Sequence, residues 1–242
     1  MRATVRLHPA PQVSVVDHST LRALGYSSQI GQDLWLDRHV FGGQRGGVFV
    51  DVGAHDGEAY NNTLFLEEHR GWSGLCIEPN RDVFERLVAR RAATCVAVAV
   101  GAADGSAEFM AISGYGEMLS GVRQHYAPAH LERIDRDMTR HGGEATTYQV
   151  PIRRLDGLLL EHSLTHVDLL CIDVEGAEAE VLRSIRLAEF GVRAVLMENN
   201  YVQGSLTRAM RRQGFQLLAR IGWDDCYVRH PFEMALHPTS AE

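Results

Sequence analysis

Four short stretches bring acids, glycines and amides together in patterns suited to chemistry. Asp51-Val52-Gly53-Ala54-His55-Asp56-Gly57 ends one apolar run, and Glu78 ends a second, Gly74-Leu75-Cys76-Ile77. Ile172-Asp173-Val174-Glu175-Gly176-Ala177-Glu178 sets three carboxylates around a glycine, and Glu198-Asn199-Asn200 follows another apolar run. Glycine lets a backbone pass close to a ligand where a Cβ would collide. A carboxylate such as Glu78 can accept hydrogen bonds from both hydroxyls of a ribose, while Asp173, Glu198 or the imidazole of His55 can take a proton from a reacting group. Glu178 needs no such role, because an acid near a helix N-terminus is favoured by the macrodipole.

Two nucleoside cofactors suit acids at the tips of neighbouring strands. A dinucleotide calls for G-x-G-x-x-G, with its pyrophosphate on a helix N-terminus. The string at 51–57 instead carries one acid before its first glycine and another before its last, a poor lining for a pyrophosphate. It suits a cofactor bearing a cationic amine and a sulfonium, which describes S-adenosylmethionine.

These residues need elements to hold them. Short apolar runs at 48–52, 74–77, 95–100, 167–172 and 192–197 read as strands buried on both faces. Helical spacing is expected at 28–41, capped by Ser27 or Ser28, and at 58–69, 81–91, about 177–185 and about 206–213. Strands at 215–221 and 226–229, joined by Gly222-Trp223-Asp224-Asp225, imply an antiparallel hairpin. The alternation argues for a doubly wound α/β fold with a mostly parallel sheet, in which ligands bind beyond the carboxyl ends of the strands. Residues 113–148 interrupt it with glycines and a helix-like stretch, and an insertion of this length suggests a cap. Residues 1–26 read as an N-terminal arm, and 27–242 as one domain carrying the cap.

Composition narrows the classes. All 24 basic residues are arginine, against 31 acids, for a net charge of −7. Without lysine there is no Schiff-base nucleophile and no P-loop amine. A net acidic chain without a polybasic run is not expected to bind nucleic acid, and no apolar run is long enough for a membrane span. Cys76, Cys95, Cys171 and Cys226 are far apart in sequence and read as free thiols of a reducing cytoplasm. The expected location is cytoplasmic.

The chain resembles the FkbM family of S-adenosylmethionine-dependent methyltransferases. The resemblance runs over roughly residues 27–200, through SSQIGQD (27–33), GVFVDVGAHDG (47–57), YNNTLFLEE (60–68), GWSGLCIEPN (71–80), VAVGAADGSAEF (98–109), LDGLL (155–159), VDLLCIDVEGAEAEVL (167–182) and VLMENN (195–200). It implies a class I methyltransferase fold, a Rossmann-like three-layer sandwich whose seven-stranded sheet has the order 3-2-1-4-5-7-6, with strand 7 antiparallel. It also implies that Asp51, Gly53, His55 and Gly57 form the loop around the methionine part of the cofactor, with Glu78 on the ribose and Ala99 and Asp104 near the adenine. Gln29 and the pair Asn62-Thr63 match further family positions near the cofactor, and Asp173 would face its methyl group. The family usually has lysine two positions before that Asp, where this chain has Cys171.

Catechol-type O-methyltransferases hold Mg²⁺ with similarly placed oxygen ligands, which makes Asp173, Glu198 and Asn199 a candidate set. A metal-free site with Asp173, Glu198 or His55 as base is the simpler expectation. The expected activity is O-methylation of a hydroxyl on a small metabolite such as a sugar or polyketide. The alternatives are N-methylation, a cofactor-binding protein without turnover, or a nicotinamide oxidoreductase. His125, His130, His141, Arg123 and Arg133 of the cap are candidate substrate contacts. The oligomeric state stays open, a homodimer included.

Overall fold

The computed structural model describes residues 12–200, 202 and 204–232. The first eleven residues of the expected arm and the last ten of the chain lie outside them. In chain order the elements are α1 (His18–Ala23), α2 (Gln32–Trp35, continued by a π-helical turn Leu36–Val40), β1 (Val48–Val52), α3 (Leu64–Arg70), β2 (Ser73–Ile77), α4 (Arg81–Arg90), β3 (Thr94–Val96), β4 (Ala99–Val100), β5 (Gly105–Ile112), β6 (Gly121–Val122), α5 (Pro128–His141), β7 (Ala145–Arg153), α6 (Leu155–Glu161), β8 (Leu169–Ile172), α7 (Glu178–Arg183), β9 (Ala194–Glu198), α8 (Gly204–Arg212), β10 (Phe215–Ile221) and β11 (Asp224–Arg229). No helix among the described residues is long and apolar enough to cross a membrane.

The main sheet has seven strands in the order β10-β11-β9-β8-β1-β2-β3. Counted within this sheet alone, that order is the expected 3-2-1-4-5-7-6. The pairings β3–β2, β2–β1, β1–β8 and β8–β9 are parallel, whereas β11 runs antiparallel to both β9 and β10. Each inner strand alternates its side chains between two apolar layers. Val50, Val52, Leu75, Ile77, Leu170 and Ile172 pack against Leu155 and Leu158 of α6, Val181 of α7 and Met210 of α8. Phe49, Cys76, Leu169, Cys171 and Leu196 face Leu21, Leu34, Phe65 and Leu87 on the opposite helices. Helices therefore cover both faces, as a buried parallel sheet requires.

Three expected elements differ. The run 95–100 is two strands, because β3 pairs with β2 whereas Ala99 and Val100 pair with β7 in a second sheet of order β4-β7-β5-β6. The helix expected at 58–69 begins only at Leu64, because residues before it fold back to contact Asp51. The helix expected at 28–41 starts at Gln32 behind Gly31. Ser27 and Ser28 donate to the buried carboxylate of Asp33, and the Ser28 hydroxyl accepts from the N–H groups of Gly31 and Asp33 at the helix start. In the second sheet β5 and β7 form an antiparallel ribbon in register from Gly105↔Ile152 to Ile112↔Ala145. Between them lie a 3₁₀ turn at Gly114–Leu119, β6 and α5, with Ile112, Leu119, Tyr126 and Ile134 as a small core of their own.

Candidate active site

A cavity of about 300 Å³ opens at the carboxyl ends of β1, β2, β8 and β9, roofed by the 3₁₀ turn, β6 and Arg133 of α5. Its position follows from the topology: β1 is joined to β2 on one side and β8 on the other, so their tips splay into a crevice. Most of the residues singled out in the sequence line it. They are Gln29, Asp51, Gly53, His55, Asn62, Glu78, Ala99, Asp173 and Glu198.

Asp51 is held from behind. Its Oδ2 accepts from the Asn61 amide at 2.9 Å and the Thr63 hydroxyl at 2.7 Å. Asn61 Oδ1 in turn accepts from the backbone N–H groups of Thr63 and Leu64, both at 2.9 Å, and from the Arg91 guanidinium at 3.1 Å. That guanidinium is fully buried and pairs with Glu67 at 2.6 Å. Gly53 has φ +85°, and a Cβ there would lie 1.7 Å from the carbonyl oxygen of Asp173, so the β1 and β8 loops touch backbone to backbone. Glu78 accepts from the backbone N–H of His55 at 3.0 Å and of Asn80 at 2.8 Å, and burial pushes its carboxyl above the usual range. His55 takes a positive φ of 50°. Its ring nitrogens make no hydrogen bond but lie 3.5 Å from Asp56 and 3.9 Å from Glu117 of the roof. Asn62 has a buried side-chain oxygen without a hydrogen-bond partner.

At the far end, carboxylate oxygens of Asp173, Glu175 and Glu198 lie within 4.8 Å of one another. Asp173 is exposed to the cavity yet sits deep in the molecule. Burial and then the neighbouring charges of Glu175, Asp224, Glu178 and Asp51 hold it well above the usual carboxylate range. Glu198 is raised by burial and then by Asp173, Glu175, Glu178 and Asp224, although the Asn200 amide donates to it at 2.7 Å. Burial pushes Glu175 up to about 7, and its Oε2 lies 3.4 Å from Nδ1 of His130 on α5. The Nε2 of His130 faces the Leu119 carbonyl at 3.1 Å, so this histidine spans from the roof to the β8 loop. The cluster titrates as a unit, because like charges this close cannot all ionise.

Four of the singled-out residues do not line this cavity. Gly57 faces the other way: a Cβ there would meet Arg91 at 2.6 Å and Leu87 at 2.7 Å. Thr63 is fully buried behind Asp51. Asp104 is exposed at the second sheet, where it accepts from the Arg154 backbone N–H at 2.7 Å. Asn199 donates to Asp225 at 2.7 Å, and it is Glu175 that completes the acidic trio. Several lining residues carried no sequence signal of their own. Asp224, in the expected hairpin joint, begins β11, accepts from the Gln32 amide at 2.7 Å and is raised by burial to about 6. Trp223, beside it, is 41% exposed at the cavity rim, as is Tyr60. Cys171 lines the floor in register with Asp51 and on the same face of its strand as Asp173.

A sequence search among curated proteins found no match. Among solved structures, methyltransferase FkbM from Methylobacillus flagellatus aligns at 15% identity and TM-score 0.45, over 76% of this chain. The chain spans 43% of the length of that protein. A TehB-like SAM-dependent methyltransferase from Corynebacterium glutamicum aligns at 12% identity and TM-score 0.44, over 87% of this chain and 93% of the other. The sequence pattern of the methyltransferase FkbM domain matches residues 51–217, more than two thirds of the chain and every acidic strand tip described above. The chain belongs to the FkbM methyltransferase family.

Proposed function

We propose that this methyltransferase uses S-adenosylmethionine to methylate a hydroxyl oxygen of a small metabolite. One observation carries the reading: a single cavity joins a ribose-competent carboxylate, Glu78, an apolar wall of Ile77, Val98, Ala99 and Val100, and a floor of carboxylates. Those groups suit the three parts of the cofactor, namely the diol, the adenine and the cationic amino acid end. Glu78 would hold the ribose hydroxyls, the apolar wall the adenine, and Asp51 with the Gly53 turn the amino acid moiety. The cofactor brings a methyl group already activated on a sulfonium.

What remains for the chain is alignment and one proton. Trp223 and Tyr60 at the rim, with Gln29 and Asn200, can orient a polyhydroxylated acceptor, and fixing it in line is proximity catalysis. The acceptor hydroxyl must lose its proton, and Glu198 is the base we favour, with its neighbour Asp173 and His55 as the alternatives. Burial has raised its affinity for a proton, and the Asn200 amide orients it. The roof excludes water from the acceptor.

A second reading, in which Mg²⁺ holds the acceptor oxygen, is favoured by the close oxygens of Asp173, Glu175 and Glu198, which are hard ligands. Transfer of labelled methyl to a panel of hydroxylated metabolites, with Asp173→Ala as control, tests the activity. The proposal fails if S-adenosylhomocysteine binds but no acceptor is turned over, and N-methylation replaces it if amines alone are labelled. Thermal shift with S-adenosylhomocysteine against NAD separates the two cofactors. Activity that survives EDTA removes the metal reading.

A further inference from the structure

The four cysteines fall in one row across the main sheet. Register partners run Cys95↔Cys76↔Asp51↔Cys171↔Leu196↔Cys226, all on the face that packs against α1–α4. Asp51 and Leu196 separate three members of the row, so among the four only Cys76 and Cys95 are direct neighbours. These two occupy opposed positions of adjacent parallel strands, whose backbones lie about 4.8 Å apart. That spacing falls within the Cα separation a disulfide accepts. Both are free thiols in this structure.

We propose that Cys76 and Cys95 form a reversible, oxidisable dithiol site, with a hydroperoxide as the oxidant. Cys76 is fully buried, whereas Cys95 lies on the edge strand and is partly exposed, so the oxidant meets Cys95 first. The Cys95 thiol donates to the Ala93 carbonyl at 3.4 Å, and the adjoining Cys76 thiol and the nearby Arg91 guanidinium favour its thiolate. The Cys95 thiolate attacks a peroxide oxygen, the O–O bond breaks, and hydroxide leaves, giving a sulfenic acid. The Cys76 sulfur then attacks the Cys95 sulfur, an S–S bond forms, and the departing hydroxide takes the Cys76 proton as water. Two thiols are oxidised by two electrons, and hydrogen peroxide is reduced to two waters. Pairing straight across parallel strands departs from the relaxed geometry, so thiols should readily reverse the bond.

The test needs only the full-length chain and hydrogen peroxide. Oxidised protein should lose about 2 Da and recover it with dithiothreitol. After cleavage at arginine without reduction, peptides 71–81 and 92–123 should be joined. Cys95→Ser should abolish the mass loss, while Cys76→Ser should leave a sulfenic acid on Cys95 that dimedone traps. Cys95 lies at the sheet edge, so its variant keeps the buried thiol and the fold. Oxygen added to Cys95 while Cys76 stays fully alkylatable on denaturation would overturn the proposal, as would a link between any other pair.

Discussion

Replacing Asn61 with alanine should destabilise the chain by about 3–5 kcal/mol, because its amide is spent on the chain's own groups. The amide is 7% exposed and joins three elements. Its oxygen accepts from two backbone N–H groups at the start of α3, and losing such a cap costs about 1 kcal/mol. Removal also strips one acceptor from a buried guanidinium and one donor from a buried carboxylate, at roughly 1.5–3 kcal/mol for each charged partner. Arg91 keeps Glu67 and Asp51 keeps Thr63, which holds the sum below the full total. For a chain of this size each kcal/mol lowers Tm by about 2–4 °C, so circular-dichroism melts should fall by about 10 °C. Asn61→Asp is the finer probe. It keeps the shape and the accepting oxygen but sets a second carboxylate oxygen 2.9 Å from Asp51, where the two must share a proton. Its deficit should therefore shrink as pH falls. Asn62→Ala is the contrast: that side chain faces the cavity, so stability should stay within about 0.5 kcal/mol while S-adenosylhomocysteine affinity drops. A loss below about 1 kcal/mol for Asn61→Ala, or a pH-independent deficit for Asn61→Asp, would refute the reasoning.

Other expectations follow from the same geometry. Gly53→Ala drives a methyl into the Asp173 carbonyl and should cost about 3 kcal/mol or more, seen as lost soluble yield or a collapsed Tm; a normal melt would contradict the backbone contact. Glu198→Gln should lower methyl transfer by about 10²–10⁴-fold with S-adenosylhomocysteine affinity within threefold, and undiminished turnover would remove it as base. Burial raises the folded-state pKa of Glu78 above its ordinary 4.5, so the protonated form favours the fold. The stability it contributes is fully present below that value and is lost as pH rises through the folded-state pKa. The Tm advantage of wild type over Glu78→Gln should thus be greatest in acid and shrink toward pH 8; an advantage that grows with pH would show the sign to be wrong.

The main sheet was legible because its strands are continuous apolar runs that end in acids, and the Gly222-Trp223 corner announced the hairpin. The second sheet was not, because Ala99 and Val100 read as a continuation of β3, and only tertiary pairing with β7 separates them. The sequence also pointed one residue away from the side chain that orients Asp51. Of the family pair Asn62-Thr63, Thr63 does donate to Asp51, but its fellow donor is Asn61, and nothing in a run of two asparagines tells which one turns inward. Asp104 and Gly57 sit in family-like strings, but the structure places them against the Arg154 backbone and packed on α4. A strand tip can be read locally, whereas the direction of a loop side chain depends on partners distant in the chain. Glu175 illustrates this, since α5 lies far away in sequence yet supplies its His130 neighbour.

The ribbon of β5 and β7 makes the roof separable from its foundation. The chain leaves for the roof at Gly105 and returns at Ile152, and these two residues face each other across one strand pair. Antiparallel partners lie about 5 Å apart, so a two-residue link bridges the gap left by excising the segment between them. The floor of the cavity on β1, β2, β8 and β9 keeps all its own pairings through such a cut. The molecule is thus built as a socket and an exchangeable plug, and on the proposed reading grafting a different 106–151 segment should change which acceptor is taken.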